Sequence, residues 1–434
     1  MEKVGLKKII ILIILVGIML RGIYVIYTPI NLRQHDVIGS SGHLAYIEKI
    51  YLTGKLPNTN NWQFYQQPLH HIISAIFLKF ITSLGVNIAF AEECLQILTL
   101  IYSSLILIIT YLILKEMDFD DVLKIFVITV IAVHPTFIIL SGSINNDVLM
   151  TMFLFLDLLY LIKWHKKSSI KNTILLAISV ALGALTKISS TIIAIPIIYF
   201  FINKFWEEYL NKQKIKKEVI KEYLLKFTIF GIISLGLGLS FSVRNMMKFN
   251  QPIFFVPDPV YTLYCGDKSL LQRLNIFSND FSRLFCYPYE DCNMIAYIVK
   301  CSLFGEYCIS ISKKFIVEHM LIITNIILIL ISMLSLFKLM WKKDIRTPIV
   351  NMLILFYFTE IAMYLYGCFS MPFGCTMDFR YIAITVFLGM IFIVYNLKHE
   401  NKSINYSVAS IILFFSMLSI FFEVTDMILL RNKQ

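Results

Sequence analysis

The chain has 434 residues, 58% hydrophobic and 15% charged, with a net charge of +11 and a mean hydropathy of +0.74. A soluble domain carries about a quarter charged residues, so this composition excludes one and points to an all-α, polytopic membrane protein forming a single integral domain over residues 1–434. The basic residues lie between apolar runs, which excludes nucleic acid and leaves anionic membrane lipids as their partner.

A span needs about 20 apolar residues to cross about 30 Å of hydrocarbon. The first runs over 8–27, after MEKVGLKK. It is too long for a signal-peptide core and no small-residue cleavage site follows, so it is read as a retained helix. Arg21 lies inside it, where a charge is normally paired or functional. The first external segment, 28–91, opens with His35-Asp36. Its stretch Ser40 to Gly54 has helical apolar spacing at Leu44, Ile47, Ile50 and Tyr51, with a Ser cap and a closing Gly. This predicts an amphipathic helix lying in the interface. Segment 69–84 is short and carries His70, His71 and Lys79, and is read as a helix that does not cross.

Further spans are expected over 92–114, 121–140, 146–163, 171–187, 189–203 and 225–243. A large external loop, 244–315, follows, then spans over 316–340, 348–366, 379–397 and 405–425, with a short external loop at 367–378. Basic clusters follow the same parity: Lys3, Lys7 and Lys8; Lys163, Lys166, Lys167 and Lys171; Lys212, Lys214, Lys216 and Lys217; Lys342, Lys343 and Arg346; Lys398 and Lys402. Placing all of them in the cytoplasm satisfies the positive-inside rule, with Trp164, Trp206 and Trp341 as rings at the cytoplasmic helix ends. About eleven crossings result, with the N-terminus cytoplasmic and the C-terminus outside. The richness in Lys, Ile and Asn suggests a bacterial plasma membrane.

The chemistry-bearing residues gather on the predicted outer side. Asp36 ends the first span and can take a proton from an acceptor hydroxyl or amine within reach; His35 beside it can position that acceptor or an ion. Asp147, in SINND, both suits a helix N-cap and can face a cavity. Lys187, Arg244 and Arg380 each end a span on the same side. Snorkelling explains any one of them, whereas convergence would make a phosphate site, for which the arginine fork is suited. Glu306 in the large loop is a further acid.

Four of the eight histidines (His35, His43, His70, His71) lie in the first external segment. No HExxH motif accompanies them, and His70 and His71 point different ways from a helix, so zinc is not favoured and metal binding stays undetermined. Seven of the eight cysteines lie in the two later external loops, where disulfides persist. Cys368 with Cys375, and one or two pairs within 244–315, are the expected bridges.

In their order between spans, these pieces resemble the GT-C superfamily of integral-membrane glycosyltransferases, in particular the protein O-mannosyltransferases and lipid A aminoarabinose transferases. They are Gln34-His35-Asp36, Gly54-Lys55-Leu56-Pro57, Gln67-Pro68-Leu69, His134-Pro135, Asn146-Asp147, Leu185-Thr186-Lys187, Arg244-Asn245, Phe304-Gly305-Glu306 and Arg380-Tyr381. The resemblance implies inverting transfer of a sugar from a polyprenyl-phosphate donor to a glycan, lipid or protein acceptor outside the cytoplasm. It makes Asp36 the catalytic base and Asp147 the second acidic position, with Lys187, Arg244 and Arg380 on the donor phosphate, and leaves a divalent metal open. Two positions depart from the pattern: His-Asp replaces an acidic pair, and Gln67 stands where a basic residue is usual. The competing class is a transporter or lipid-glycan flippase. Such proteins place ionisable groups near mid-membrane and often repeat their halves; no repeat is visible here.

Overall fold

The computed structural model describes residues 2–32, 37, 39–212, 214–257, 263–275, 292–305, 315–342 and 346–431. His35, Asp36 and Glu306 lie outside them, as do Cys286 and Cys308. The described residues form helices and 3₁₀ turns with no named strand.

The first half comprises α1 (Glu2–Tyr27), α2 (His43–Thr53), α3 (Leu69–Ser83), α4 (Ile88–Glu93), α5 (Gln96–Glu116), α6 (Asp121–Val133), α7 (Pro135–Ser141), α8 (Asp147–Lys166) and α9 (Ile170–Thr186). The second comprises α10 (Ala194–Leu210), α11 (Lys216–Gly238), α12 (Ser240–Phe249), α13 (Leu270–Leu274), α14 (Met294–Phe304), α15 (Phe315–Trp341), α16 (Pro348–Ser370), α17 (Ile384–Leu397) and α18 (Lys402–Arg431). Many starts are written locally. Asn87, Asp120, Ser169, Ser269, Asn293 and Thr347 each accept a hydrogen bond from a first-turn amide of the helix they precede, which satisfies an otherwise orphaned donor.

Among the described residues, seven helices are long and apolar enough to cross a membrane alone. Counting the bent pairs α6–α7 (50°), α11–α12 (47°) and the turn before α17 with α17 (46°) as single spans gives ten. An eleventh crossing requires α9, an apolar helix of 17 residues. At 15 residues, α3 stays among the shorter helices. The most enclosed span is α8, with 78% of its apolar window buried, consistent with a helix that is apolar all round.

The loops that carry the basic clusters at Lys166, Lys214 and Lys398 meet at one end of the bundle: Lys166 lies 3.0 Å from Asp118, Ser168 bonds Glu208, which pairs with Lys214 at 2.9 Å, and Lys398 lies over the Phe119 ring. The start of α8 and the end of α9 meet at the opposite end, where the segment 39–91 packs. Three local expectations are corrected. First, α2 is capped by Gly42 without a side-chain bond, not by Ser40, while Gly54 closes it at φ +63°; this left-handed geometry favours glycine. Second, Trp164 is fully buried and donates Nε1 to Thr173 Oγ1 at 2.9 Å, so it is a core residue and not an interface ring. Third, Cys368 does not bridge to Cys375. It lies buried near the end of α16 with Sγ 3.4 Å from Thr376 O; the disulfide among the described residues joins Cys265 to Cys292, a pair within 244–315 as expected. The bridged segment is tied to the loop between α16 and α17 through Cys265 N to Pro372 O (2.7 Å) and Gly374 N to Leu263 O (2.8 Å).

Arg21 has its partners in backbone. Pro135 brings no amide to Ile131 O, and the bend at His134 frees the next two carbonyls as well. Arg21 donates to Ile131 O (2.9 Å), Ala132 O (2.7 Å), Gly17 O (2.8 Å) and Ser103 Oγ (2.9 Å), while Ser419 Oγ donates to Val133 O at 2.5 Å. Close approach of α1 is required: a Cβ on Gly17 would lie 2.9 Å from the Ala132 Cβ.

Candidate active site

The candidate site forms where three chain breaks meet. Asp147 begins α8 and is 1% exposed. Asp147 is the first helical residue and not the cap: Asn146 occupies the cap position without a side-chain cap bond, and Asn145 Oδ1 accepts from Asp147 N at 3.1 Å. At the first turn of α8 the Asp147 carboxylate is favoured by the helix dipole. Lys187 is the single extended residue (φ −157°, ψ 128°) between α9 and the 3₁₀ turn Ile188–Ile193. Arg380 lies on the 3₁₀ turn Phe379–Ile382, whose start is capped by Asp378 accepting from Arg380 N at 2.8 Å.

These breaks bring three of the sequence candidates together. Lys187 pairs with Asp147 Oδ1, and Arg380 Nε lies 3.3 Å from Asp147 Oδ2. Lys187 Nζ also sits 4.7 Å from the Tyr381 ring centroid, and Arg380 Cζ lies 5.2 Å from it; aromatic faces attract cations at such distances. One buried carboxylate thus faces two cations, and a second buried acid, Asp378, adjoins Arg380. A small cavity of about 30 Å³ adjoins it, lined by Thr136, Ser143, Cys301, Gly305, Asp378 and Arg380.

Arg244 is not brought into contact with Asp147. It donates to Asn245 Oδ1 (2.7 Å) and Pro57 O (3.0 Å) and packs over Phe241 at 5.3 Å. No carboxylate pairs with it among the described residues, so its charge is not neutralised there. The link to the trio runs through Ser242, two residues earlier on α12, which accepts from Gln67 Nε2 at 3.3 Å. The positions of His35, Asp36 and Glu306 lie outside the described residues.

Gln67 and Tyr381 fall within the resembling pieces Gln67-Pro68-Leu69 and Arg380-Tyr381 but receive no role in the site from sequence, and Gln66 carries no sequence signal. No group of three or more His, Cys, Asp or Glu side chains that could hold a metal ion occurs among the described residues. His43 and His71 instead share a 2.9 Å hydrogen bond, and Tyr46 stacks on His71 at 4.0 Å.

His70 anchors the loop that carries Asp147. Its Nε2 donates to Ile144 O at 2.8 Å, leaving the buried Nδ1 without a partner. Burial, with the neighbouring His43 and against the opposing pull of Asp147, lowers its pKa to about 4. The unfolded chain therefore takes up this proton below about pH 6.5, while the folded protein resists until about pH 4. Stability is expected to fall across that window by roughly 3 kcal/mol from this group. Unfolding midpoints of the detergent-purified protein against pH should slope less for His70→Gln, which keeps a donor for Ile144 O but does not titrate. An equal slope would remove His70 as the cause.

A family model described as dolichyl-phosphate-mannose-protein mannosyltransferase matches residues 70–232, a stretch that contains Asp147 and Lys187. No protein with a curated description matches. The apo oligosaccharyltransferase of Archaeoglobus fulgidus superposes with a TM-score of 0.52 at 13% identity, over 96% of this chain and 56% of that one. The same enzyme tethered by a disulfide to an acceptor peptide with the NVT sequon gives a TM-score of 0.51 at 13% identity, over 97% and 55%. ArnT from Cupriavidus metallidurans aligns over 89% of this chain and 76% of that one, with 10% identity and a TM-score of 0.42. The chain spans about half the length of the archaeal enzyme it matches. At this identity the archaeal likeness concerns the fold, which is the GT-C fold expected from the sequence.

Proposed function

We propose that this chain, carrying the GT-C fold, is a membrane glycosyltransferase. It moves a sugar from a polyprenyl-phosphate-linked donor, with inversion, to a glycan, lipid or protein acceptor at the outer face of a bacterial plasma membrane. The observation that carries this reading is the sharing of buried Asp147 by Lys187 and Arg380. Both cations close on one carboxylate, with Asp378 as a second acid beside Arg380. A sugar on a polyprenyl phosphate is a phosphodiester with one negative charge, for which an ammonium and a guanidinium on one side of the bundle are suitable donors.

On transfer, Asp36 accepts the proton of the acceptor hydroxyl, whose oxygen forms the new bond to the anomeric carbon. The bond from that carbon to the phosphate oxygen breaks, and the polyprenyl phosphate leaves with the electron pair. The leaving group gains a second negative charge as it departs. Cations already fixed where that charge develops stabilise the transition state over the ground state. Arg244, not neutralised by a carboxylate among the described residues, supplies the additional positive charge from α12. His35 and Glu306 would position the acceptor or an ion beside Asp36.

The test is transfer of labelled sugar from a panel of polyprenyl-phosphate donors, in membranes holding wild-type protein or Asp36→Asn. Transfer by the wild type, abolished in a normally inserted variant, is the expected result. Undiminished transfer by the variant would sink the base assignment. Failure of every donor in a broad panel would sink the glycosyltransferase reading.

A further inference from the structure

Lys187 reaches Asp147 because its backbone is held on both sides by side-chain amides from other parts of the chain. The residue before it ends α9 with a carbonyl that no helical amide reaches. Asn146 Nδ2 donates to that carbonyl, Thr186 O, at 2.8 Å. The residue after it presents an amide to no helical carbonyl, and Ile188 N donates to Gln67 Oε1 at 3.0 Å. Gln67 and Asn146 are buried, at 5% and 0% exposure. Neither is loose: Gln67 Nε2 donates to Ser242 Oγ on α12 at 3.3 Å, and Asn146 Nδ2 also donates to Gln66 Oε1 at 2.6 Å.

A terminal amide suits this task because one group both accepts and donates. Gln67 uses both capacities, joining the break at Lys187 to the helix that carries Arg244. A basic residue at this position could not accept from Ile188 N, and a carboxylate could not donate to Ser242. Gln67 is therefore fitted to hold backbone, and the cations around it do the charge work.

We propose that Gln67 and Asn146 are positioning residues for donor binding: together they clamp the backbone on either side of Lys187 and so aim its ammonium at the donor phosphate. This rests on the donor site assigned above. The clamp works by preorganisation, because an ammonium already fixed in place loses less freedom when the phosphate arrives. Its contribution therefore passes through Lys187 and disappears when the ammonium is absent.

A double-mutant cycle separates this from a merely structural role. Binding of a polyprenyl phosphate without sugar to the detergent-purified full chain is measured, so that no turnover is required. Gln67→Met keeps the shape and removes both hydrogen bonds. It is expected to weaken binding about tenfold, and Lys187→Met by at least as much. In the double variant the Gln67 change should add less than twofold. Asn146→Leu provides a second, independent arm with the same expected pattern, should Gln67→Met fail to fold. Multiplying effects in the double variant, or unchanged binding with both Gln67→Met and Asn146→Leu, would overturn the clamp while leaving the donor site standing. Unchanged binding with Lys187→Met would overturn the donor assignment and the clamp with it. Where transfer is measurable, the clamp variants should raise the donor KM about tenfold and leave the acceptor KM unchanged.

Discussion

Replacing Asp147 with alanine is expected to cost about 3–5 kcal/mol of stability, the range seen when one partner of a buried ion pair is removed. Asp147 is 1% exposed, and its partners Lys187 and Arg380 are 15% and 11% exposed. Without that carboxylate Lys187 loses its ion-pair partner in a poorly hydrated recess, and Arg380 keeps Asp378 beside it. Lys187→Met is expected to be much milder in stability, because Asp147 and Arg380 remain as a balanced pair. Unfolding of the purified protein in detergent should therefore rank Asp147→Ala well below Lys187→Met. The reverse order would show that the trio does not share its charge as the contacts indicate. In transfer assays both variants should lose activity, but for different reasons. The aspartate variant misplaces two cations, and the lysine variant deletes one.

Arg21→Leu is expected to be comparably damaging, at the other kind of buried charge in this protein. The side chain donates to three backbone carbonyls and to Ser103 Oγ. Two of the carbonyls, Ile131 O and Ala132 O, are freed by the Pro135 break. Each buried acceptor left without a donor costs about 1–3 kcal/mol, and there is no bulk water at that depth to replace the guanidinium. Arg21→Lys should recover part of the loss, since an ammonium can reach fewer of these oxygens than the planar fork does. Ser419→Ala removes a single donor, to Val133 O, and should cost about 1–3 kcal/mol. Equal stability of Arg21→Leu and wild type in detergent unfolding would refute the capping role.

Chemically, Arg21 and the candidate site use the same device. In each place the chain interrupts a helix at membrane depth or near its edge, and polar side chains from distant segments take over the freed backbone groups. At α6–α7 the result is structural. At the break between α9 and the following 3₁₀ turn, the same arrangement leaves a lysine extended and pointing into a charged recess. A helix running unbroken through Lys187 would carry its side chain elsewhere on the helical surface.

Much of this protein is determined by sequence alone. Apolar runs of sufficient length, with basic residues between alternate pairs, dictate a helical membrane bundle, because hydrocarbon accepts backbone only when its hydrogen bonds are made internally. The same runs, with their caps, place most helix starts. They also put Asp147, Lys187 and Arg380 at the same end of the bundle, since each terminates a span of matching parity. Other features were decided only by tertiary structure. The count of crossings depends on three bends, and a bend is stable only if another segment satisfies the groups it frees. Gln67, Asn146 and Arg21 do this from positions 121, 40 and 110 residues away from their partners, a separation that no local pattern encodes. Trp164 became core and Cys368 stayed apart from Cys375 for the same reason, while Cys265–Cys292 formed within 244–315 as expected. Local sequence states what a residue can do, and packing decides which partner comes within reach.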